Sequence, residues 1–449
     1  MPTSPTTTGG LKAAWLPIIL FEIYLNLSVI LFATGPWPWP VTNPWELYGF
    51  LFAAHALLGI GYVTGIKKAE KSYFPAATQQ TPWLKWSLIA NLALLMPTSF
   101  SRSGHIIPDL LFGLQSPGEA YSNAVERSAD GGAWVIIEYF RILLAPLLAF
   151  AFPYVIVTWN ERTTVERLAC LVIVLFNVCL YISIATNKAI VDTVLLVPWL
   201  VMIGIATKHI VLHRRGKIVL TTISAVTLVL AFLFFGYGQT HRSGDVATGR
   251  TFGPPIFIDA DPSNWLTSSF SETSQIYIES LLRYLCQGYY ALSRAMLLDF
   301  DPTFGFGNSM FLAKNAEAVF GIQTIVSSTY PAKLEQAEGW GMFSLWHSIY
   351  PWLASDFGFF GTLVIVFFIG RYFAMSWIYV IRDMDKISMI LFTYFLIMLI
   401  YFPGNNQLMQ SPETCVGFLA TLAIWMISKA NIEIDRTKLR QLSIQRMRG

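Results

Sequence analysis

The chain has 449 residues, 54% of them apolar and 13% charged, with a formal net charge of +3 and a mean hydropathy of +0.53. That balance excludes a water-soluble protein of ordinary makeup and makes the lipid bilayer the solvent. The sequence carries no Walker loop, glycine-rich dinucleotide fingerprint, HExxH or Cys-x-x-Cys, which argues against nucleotide and zinc chemistry.

Apolar runs of roughly 17–25 residues can cross a bilayer of about 30 Å as helices. Ten such runs are predicted in chain order: 13–35, 47–66, 83–100, 133–158, 168–186, 189–206, 218–236, 356–380, 387–403 and 413–428. The N-terminal MPTSPTTTGGLKAAW lacks the basic start and cleavage site of a signal peptide, so the first run is expected to remain as an anchor. With the N-terminus inside, the cytoplasmic pieces are Lys12, KKAEK, NERTTVER, TKHIVLHRRGK, RDMDK and the tail. They hold 18 of the 30 lysines and arginines, whereas the short outer loops hold Arg102, Arg127 and Lys188. Both termini are therefore expected in the cytoplasm, with seven spans in 1–236, a large outer loop at 237–355, three spans in 356–428 and a basic tail at 429–449.

The spans carry ionisable groups that hydrocarbon tolerates poorly. Glu22, Asn26 and His55 in the first two runs read as interhelical hydrogen-bonding groups. Glu138 and Arg141 in VIIEYFRILL, and Lys188 and Asp192 in ATNKAIVDTV, are spaced to pair along one helix face. Both pairs lie near outer span ends, and the outer loops add Arg102, Arg242, Arg250, Arg283 and Arg294. Together they suggest a cationic site facing outward.

The long loop is rich in aromatic residues and leucine, so it is expected to fold and to lie on the membrane. Within SQIYIESLLRYLCQGYYALSRAMLLDF, Ile278, Leu282, Leu285, Tyr289, Leu292 and Met296 recur at helical steps, with Arg283, Gln287, Tyr290 and Arg294 on the other face. Such a helix reads either as an interfacial one with snorkelling arginines or as a phosphate binder, since guanidinium holds phosphate bidentately. The short DMD at 383–385 reads as a solvated turn.

At the end of the loop, HSIYPWLASDFGFFGT puts His347 and Asp356 before Gly358 and Gly361 at the entry to a span. These glycines would let helices approach closely. In layout the whole chain resembles the bacterial Wzy-type O-antigen polymerases and the related O-antigen ligases. The likeness is carried by ATNKA between two mid-chain spans, by YLCQGYYAL in the large penultimate outer loop, and by YPWLASDFGFFG. His347, Ser348, Gly358, Gly361 and Thr362 fit the ligases' His-Ser/Asn-x9-Gly-x-x-Gly-Thr pattern. An Arg-x10-Gly spacing described for the polymerases occurs from Arg102, Arg242 and Arg294.

The resemblance implies an all-α, GT-C-like fold in the bacterial inner membrane and a glycosyltransferase needing neither metal, nucleotide nor other cofactor. It would polymerise undecaprenyl-diphosphate-linked oligosaccharides on the periplasmic side. Its partners would be that lipid-linked glycan, the surrounding lipids, a chain-length regulator and a flippase, with no nucleic acid. Under this reading His347 and Asp356 are the catalytic candidates, and Lys188, Arg283, Arg294, Arg141, Arg242, Arg250 and Arg102 take the diphosphate. The alternatives are a ligase transferring the glycan to lipid A-core, and a transporter or flippase, against which the one-sided placement of charge and the lack of an internal repeat both count.

Overall fold

The computed structural model describes residues 8–72, 82–129, 132, 134–186, 188–211, 213–242 and 250–448; the side chains at 8–12, 128–129, 189, 239–242 and 431–448 lie outside that description. Among the described residues the regular structure is all-helical apart from one two-stranded ribbon, β1 (Thr251–Phe252) and β2 (Ile258–Asp259). Before the ribbon come α1 (Thr8–Thr34), α2 (Pro44–Lys71), α3 (Pro82–Ser103), α4 (Leu110–Gln115), α5 (Pro117–Ala129), α6 (Val135–Leu148), α7 (Ala151–Val157), α8 (Thr164–Ser183), α9 (Lys188–Ala206) and α10 (Arg214–Arg242). After it come α11 (Glu272–Ala295), α12 (Met310–Phe320), α13 (Tyr330–Glu338), α14 (Ile349–Asp383), α15 (Lys386–Tyr401), α16 (Gln407–Gln410) and α17 (Pro412–Arg448).

Among the described residues, seven stretches are long and apolar enough to cross a membrane: Ala13–Thr34, Pro44–Lys71, Val135–Val157, Thr164–Ser183, Arg214–Gly238, Ile349–Asp383 and Pro412–Ala430. Ile190–Ala206 and Lys386–Tyr401 are apolar but shorter. The remaining expected span lies within α3, which forms a helix but carries Lys85, Asn91 and the polar end Thr98, Ser99, Ser101 and Arg102. All ten expected runs are thus helical, and seven meet the demands of length and hydropathy. On α10 the side chains of Ile218, Ile223, Val226, Val229 and Leu230 are more than half exposed. An apolar face of that extent is stable against hydrocarbon, not water.

Helices α2 and α14 run side by side in the same direction, and their contact depends on missing side chains. A Cβ on Gly61 would stand 2.0 Å from the Phe367 carbonyl oxygen, and one on Gly370 would stand 2.1 Å from that of Leu58. Backbones therefore touch directly across the pair.

Gly358 plays a different part from the close approach expected of it. Its φ of +64° breaks α14 into a short first segment and the long span, and nothing lies closer to its would-be Cβ than Phe300 at 4.0 Å. The DMD turn is also more organised than a solvated turn. Asp385 caps α15 by accepting the Ser388 N–H and pairs with Lys429 at 3.0 Å, while Asp383 is buried beside Arg382.

Helix ends sort into two groups. At one, Arg382 donates to the Ala69 and Ser72 carbonyls, His209 meets Glu161, and the cations of Arg162 and Lys386 lie over the Tyr154 ring. At the other, the turn between α1 and α2 is roofed by the long loop. Asn264 and Trp265 donate to the Thr34 carbonyl, and Asn43 donates to that of Ser293. Those groups match the two sets of loops that the lysine and arginine count separates.

The loop is folded, and α11 is its spine. Both of its faces are covered: Tyr289 meets Ser28 of α1 at 2.8 Å, while Tyr290 on the expected polar face packs on Trp39 and Trp340. An interfacial helix with a wet polar face is not what forms. Trp37, Trp39, Phe252, Tyr290 and Trp340 make an aromatic core between loop and bundle, which outweighs solvation of the flank.

Candidate functional site

Gly288 sets the geometry of the site. A side chain there would meet the Pro403 carbonyl oxygen at 2.3 Å and the Ser348 nitrogen at 2.7 Å, so only glycine lets two chain segments cross α11 at this point. The Ser348 N–H donates to the Gly288 carbonyl at 3.3 Å and that of Ile349 to Phe402 at 3.1 Å. The end of the loop and the end of α15 are thereby pinned together over α11.

Beside this crossing opens a cavity of about 810 Å³. It is walled by the start of α9, the end of α10, α11, α12, the 342–352 segment and the 400–412 turn. Its lining is chiefly aromatic and aliphatic, and its charged lining residues are two lysines, Lys188 and Lys314. Lys188 stands 3.9 Å from Asp192, too long for a tight pair, and the Lys314 ammonium lies 5.5 Å from the centre of the Phe343 ring. Tyr24, Tyr401, Asn315, Asn405 and Gln410 add polar groups to the wall. The Gln410 amide nitrogen and the Trp352 indole N–H are buried without hydrogen-bond partners. A volume in this range, mostly apolar with a few converging polar groups, is what a site for a large amphiphilic ligand requires.

Most of the expected arginines are engaged elsewhere. Arg141 grips both oxygens of Glu413 at 2.8 and 2.9 Å and donates to Thr98; Arg102 grips Glu138 at 2.9 and 3.0 Å and donates to Tyr181. The expected Glu138–Arg141 pair thus gives way to interhelical pairs tying α3 to α6 and α6 to α17. Arg294 forks onto Glu338 at 2.7–3.0 Å, which holds its pKa above the usual arginine value, and its other arm reaches Thr42. Arg250 sits 3.2 Å from the fully buried Glu279 without hydrogen-bond alignment, and burial keeps the Glu279 pKa up. Arg242 lies outside the described residues as regards its side chain.

Arg283 is the exception. Among the described residues it has no carboxylate partner. It lies between the rings of Trp37 and Tyr284, 5.9 Å from each centre, and burial pushes its pKa down.

Of the two catalytic candidates, His347 stands behind the cavity wall. His347 is 1% exposed, its ring 6.1 Å from that of Trp352, and Trp352 lines the cavity. Neither ring nitrogen has a well-aligned hydrogen bond. Burial drives the His347 pKa down to about 3, opposed weakly by the Gly341 backbone, so it does not keep the near-neutral value the sequence suggests. Asp356 holds a loop. Its Oδ1 accepts from the Thr303 hydroxyl at 2.5 Å and the N–H groups of Gly305 and Gly307, and its Oδ2 accepts from the Asn308 N–H at 2.9 Å. With four hydrogen bonds shared over its two oxygens, it is placed to order residues 303–308.

Sequence reading missed Lys314, a single lysine on an 11-residue helix with nothing in its spacing to mark it. It left Glu22 and His55 without partners, yet they lie 3.6 Å apart between α1 and α2.

Comparison with protein-family models, with curated proteins and with solved structures finds no match to this chain. Fold and site define a class: an all-helical, membrane-embedded protein with a cationic, largely apolar cavity at the roofed end of its helices. Function has to be read from that cavity and its side chains.

Proposed function

We propose that the protein is a glycosyltransferase that polymerises oligosaccharides carried on a polyprenyl diphosphate, working at the outer face of the bacterial inner membrane. One observation carries this reading: the cavity's wall is apolar, and the charges on it are the ammonium groups of Lys188 and Lys314. A lipid diphosphate has that chemistry, an apolar tail joined to a dense negative head. Fixed cations stabilise the diphosphate as it leaves, when its charge is greatest. Overall layout and the motifs around His347 favour this class over a transporter.

In the reaction the acceptor hydroxyl oxygen bonds to the anomeric carbon of the donor glycan. The bond from that carbon to the diphosphate oxygen breaks, the polyprenyl diphosphate leaves with both electrons, and the hydroxyl proton passes to a base. His347 is assigned that proton. Its two ring nitrogens, neither with a well-aligned hydrogen bond, support the assignment, and motion of Trp352 would both admit the hydroxyl and return the imidazole toward its ordinary pKa.

The test is purified protein with a synthetic undecaprenyl-diphosphate oligosaccharide, scoring product length and donor affinity. His347→Gln should slow transfer by roughly 100- to 10,000-fold with donor affinity kept. Lys188→Met should weaken donor binding itself. Product that stays one repeat long and appears only on added lipid A-core would make the protein a ligase instead. Near-normal turnover of the His347 variant would remove the base.

A further inference from the structure

Arg283 opens into a second, smaller chamber of about 170 Å³, walled by Phe252, Gly253, Pro254, Gln287 and Ser344. Tyr284, Leu345 and Trp346 line both this chamber and the large cavity, so the two share a partition of three side chains. No residue lining the chamber is acidic. The carboxylate one helical turn back, Glu279, is occupied by Arg250, and the other arginines of the loop region with described side chains each have their own acid. Arg283 is left as a partly buried cation held between aromatic rings, which orient a guanidinium without neutralising it.

We propose that this chamber is an oxyanion subsite for a carboxylate carried on a sugar ring of the glycan, distinct from the diphosphate position at Lys188. The substrate would then be an acidic oligosaccharide, with a uronic acid next to the reacting end. Three features of the chamber fit. A planar carboxylate matches the fork of a guanidinium whose aromatic neighbours fix its plane. Gln287 accepts the Trp346 N–H on Oε1, which turns its amide nitrogen into the remaining donor. Ser344 places a hydroxyl on the same wall. At about 30 Å³ per water the space holds roughly five or six waters, enough for a charged substituent but not for a lipid. The shared partition puts it directly beside the cavity. A partly buried arginine with no counter-charge among the described residues is costly, and an anionic ligand removes that cost on binding.

This inference rests on the glycan-transfer reading, and it is tested by binding alone so that the two can fail separately. Detergent-purified full-length protein is titrated with methyl glucuronide, with methyl glucoside and with inorganic pyrophosphate, following tryptophan fluorescence and thermal shift. The glucuronide should bind about tenfold or more tighter than the glucoside, whose only difference is the missing carboxylate. Arg283→Met should abolish that preference, Arg283→Lys should keep part of it, and Lys188→Met should leave it intact while losing pyrophosphate. Equal binding of the two glycosides, or a preference that survives in Arg283→Met, overturns the subsite. Loss of pyrophosphate binding in the Arg283 variant but not in the Lys188 variant makes the diphosphate its occupant and also overturns it. If Arg283→Met does not yield folded protein, Arg283→Lys decides: unchanged glucuronide affinity counts against the proposal, reduced affinity for it. None of these outcomes depends on turnover, so the chain-length assay stands or falls independently.

Discussion

Two residues quoted together from one motif answer to different physics. His347 is buried neutral. Its folded pKa of about 3 lies below the ordinary value of 6.5, so between those values the unfolded chain binds more protons than the folded one. Stability contributed by the neutral ring is complete above about pH 6.5 and is lost as pH falls toward 3. At pH 5 the loss should be about 2 kcal/mol relative to pH 7.5. His347→Phe, which keeps a ring against Trp352 and removes the titration, should flatten the dependence of Tm on pH across that window; an unchanged slope would show that the ring is accessible to protons in the folded state. Asp356 anchors a loop with four hydrogen bonds. Replacing it with Asn turns one acceptor oxygen into a donor facing N–H groups and should cost roughly 1–3 kcal/mol. A lower Tm with residual turnover is the expected result, whereas abolished turnover at wild-type Tm would restore Asp356 to the chemistry.

At the scale of elements, hydropathy periods were enough to find helices and not enough to find their neighbours. All ten apolar runs are helical because length and apolar content fix that locally. Pairing is another matter. Glu138 and Arg141 are three residues apart and look like partners, yet bidentate geometry with Arg102 and Glu413 on other helices is better than a strained contact along one turn. The polar face of α11 similarly gave no sign that Trp39 and Trp340 would cover it. Glycine roles were half legible. Gly358 was marked out by its motif but makes a kink, while Gly61 and Gly370, which no motif singled out, form the tightest helix crossing. Gly61→Ala or Gly370→Ala would drive a methyl into a backbone carbonyl about 2 Å away and push α2 from α14. Each should destabilise by roughly 1–3 kcal/mol, read as a fall in Tm in detergent. Gly59→Ala, where a Cβ meets nothing within 4 Å, is the control that should change little.

For the molecule as a whole, lysine and arginine counts and the three-dimensional grouping of helix ends are independent observations that agree. A count along the sequence assigns Lys67, Arg162, Arg214 and Lys386 to one side and the 237–355 loop to the other. In space, the segments near 69–72, 161–162, 209 and 382–386 draw together, while the long loop covers the opposite ends. The parallel run of α2 and α14 adds a parity condition. Two helices separated in sequence by five expected spans and a loop can run the same way only if the chain between them crosses an odd number of times in net. Counting 83–100 and the short Ile190–Ala206 as spans gives five crossings between α2 and the loop, which satisfies the condition; dropping either one alone reverses α14. With 83–100 crossing, Ile190–Ala206 should therefore cross despite its length, with the bilayer thinned or the helix ends snorkelling to compensate. Cysteines at Ser263 and Glu70, both exposed and on opposite ends, test this in a background where Cys170, Cys179, Cys286 and Cys415 are replaced. A membrane-impermeant maleimide added to intact cells should label Ser263→Cys and spare Glu70→Cys until the membrane is opened. Labelling of both from outside, or of Glu70→Cys alone, would break the agreement between charge count and fold.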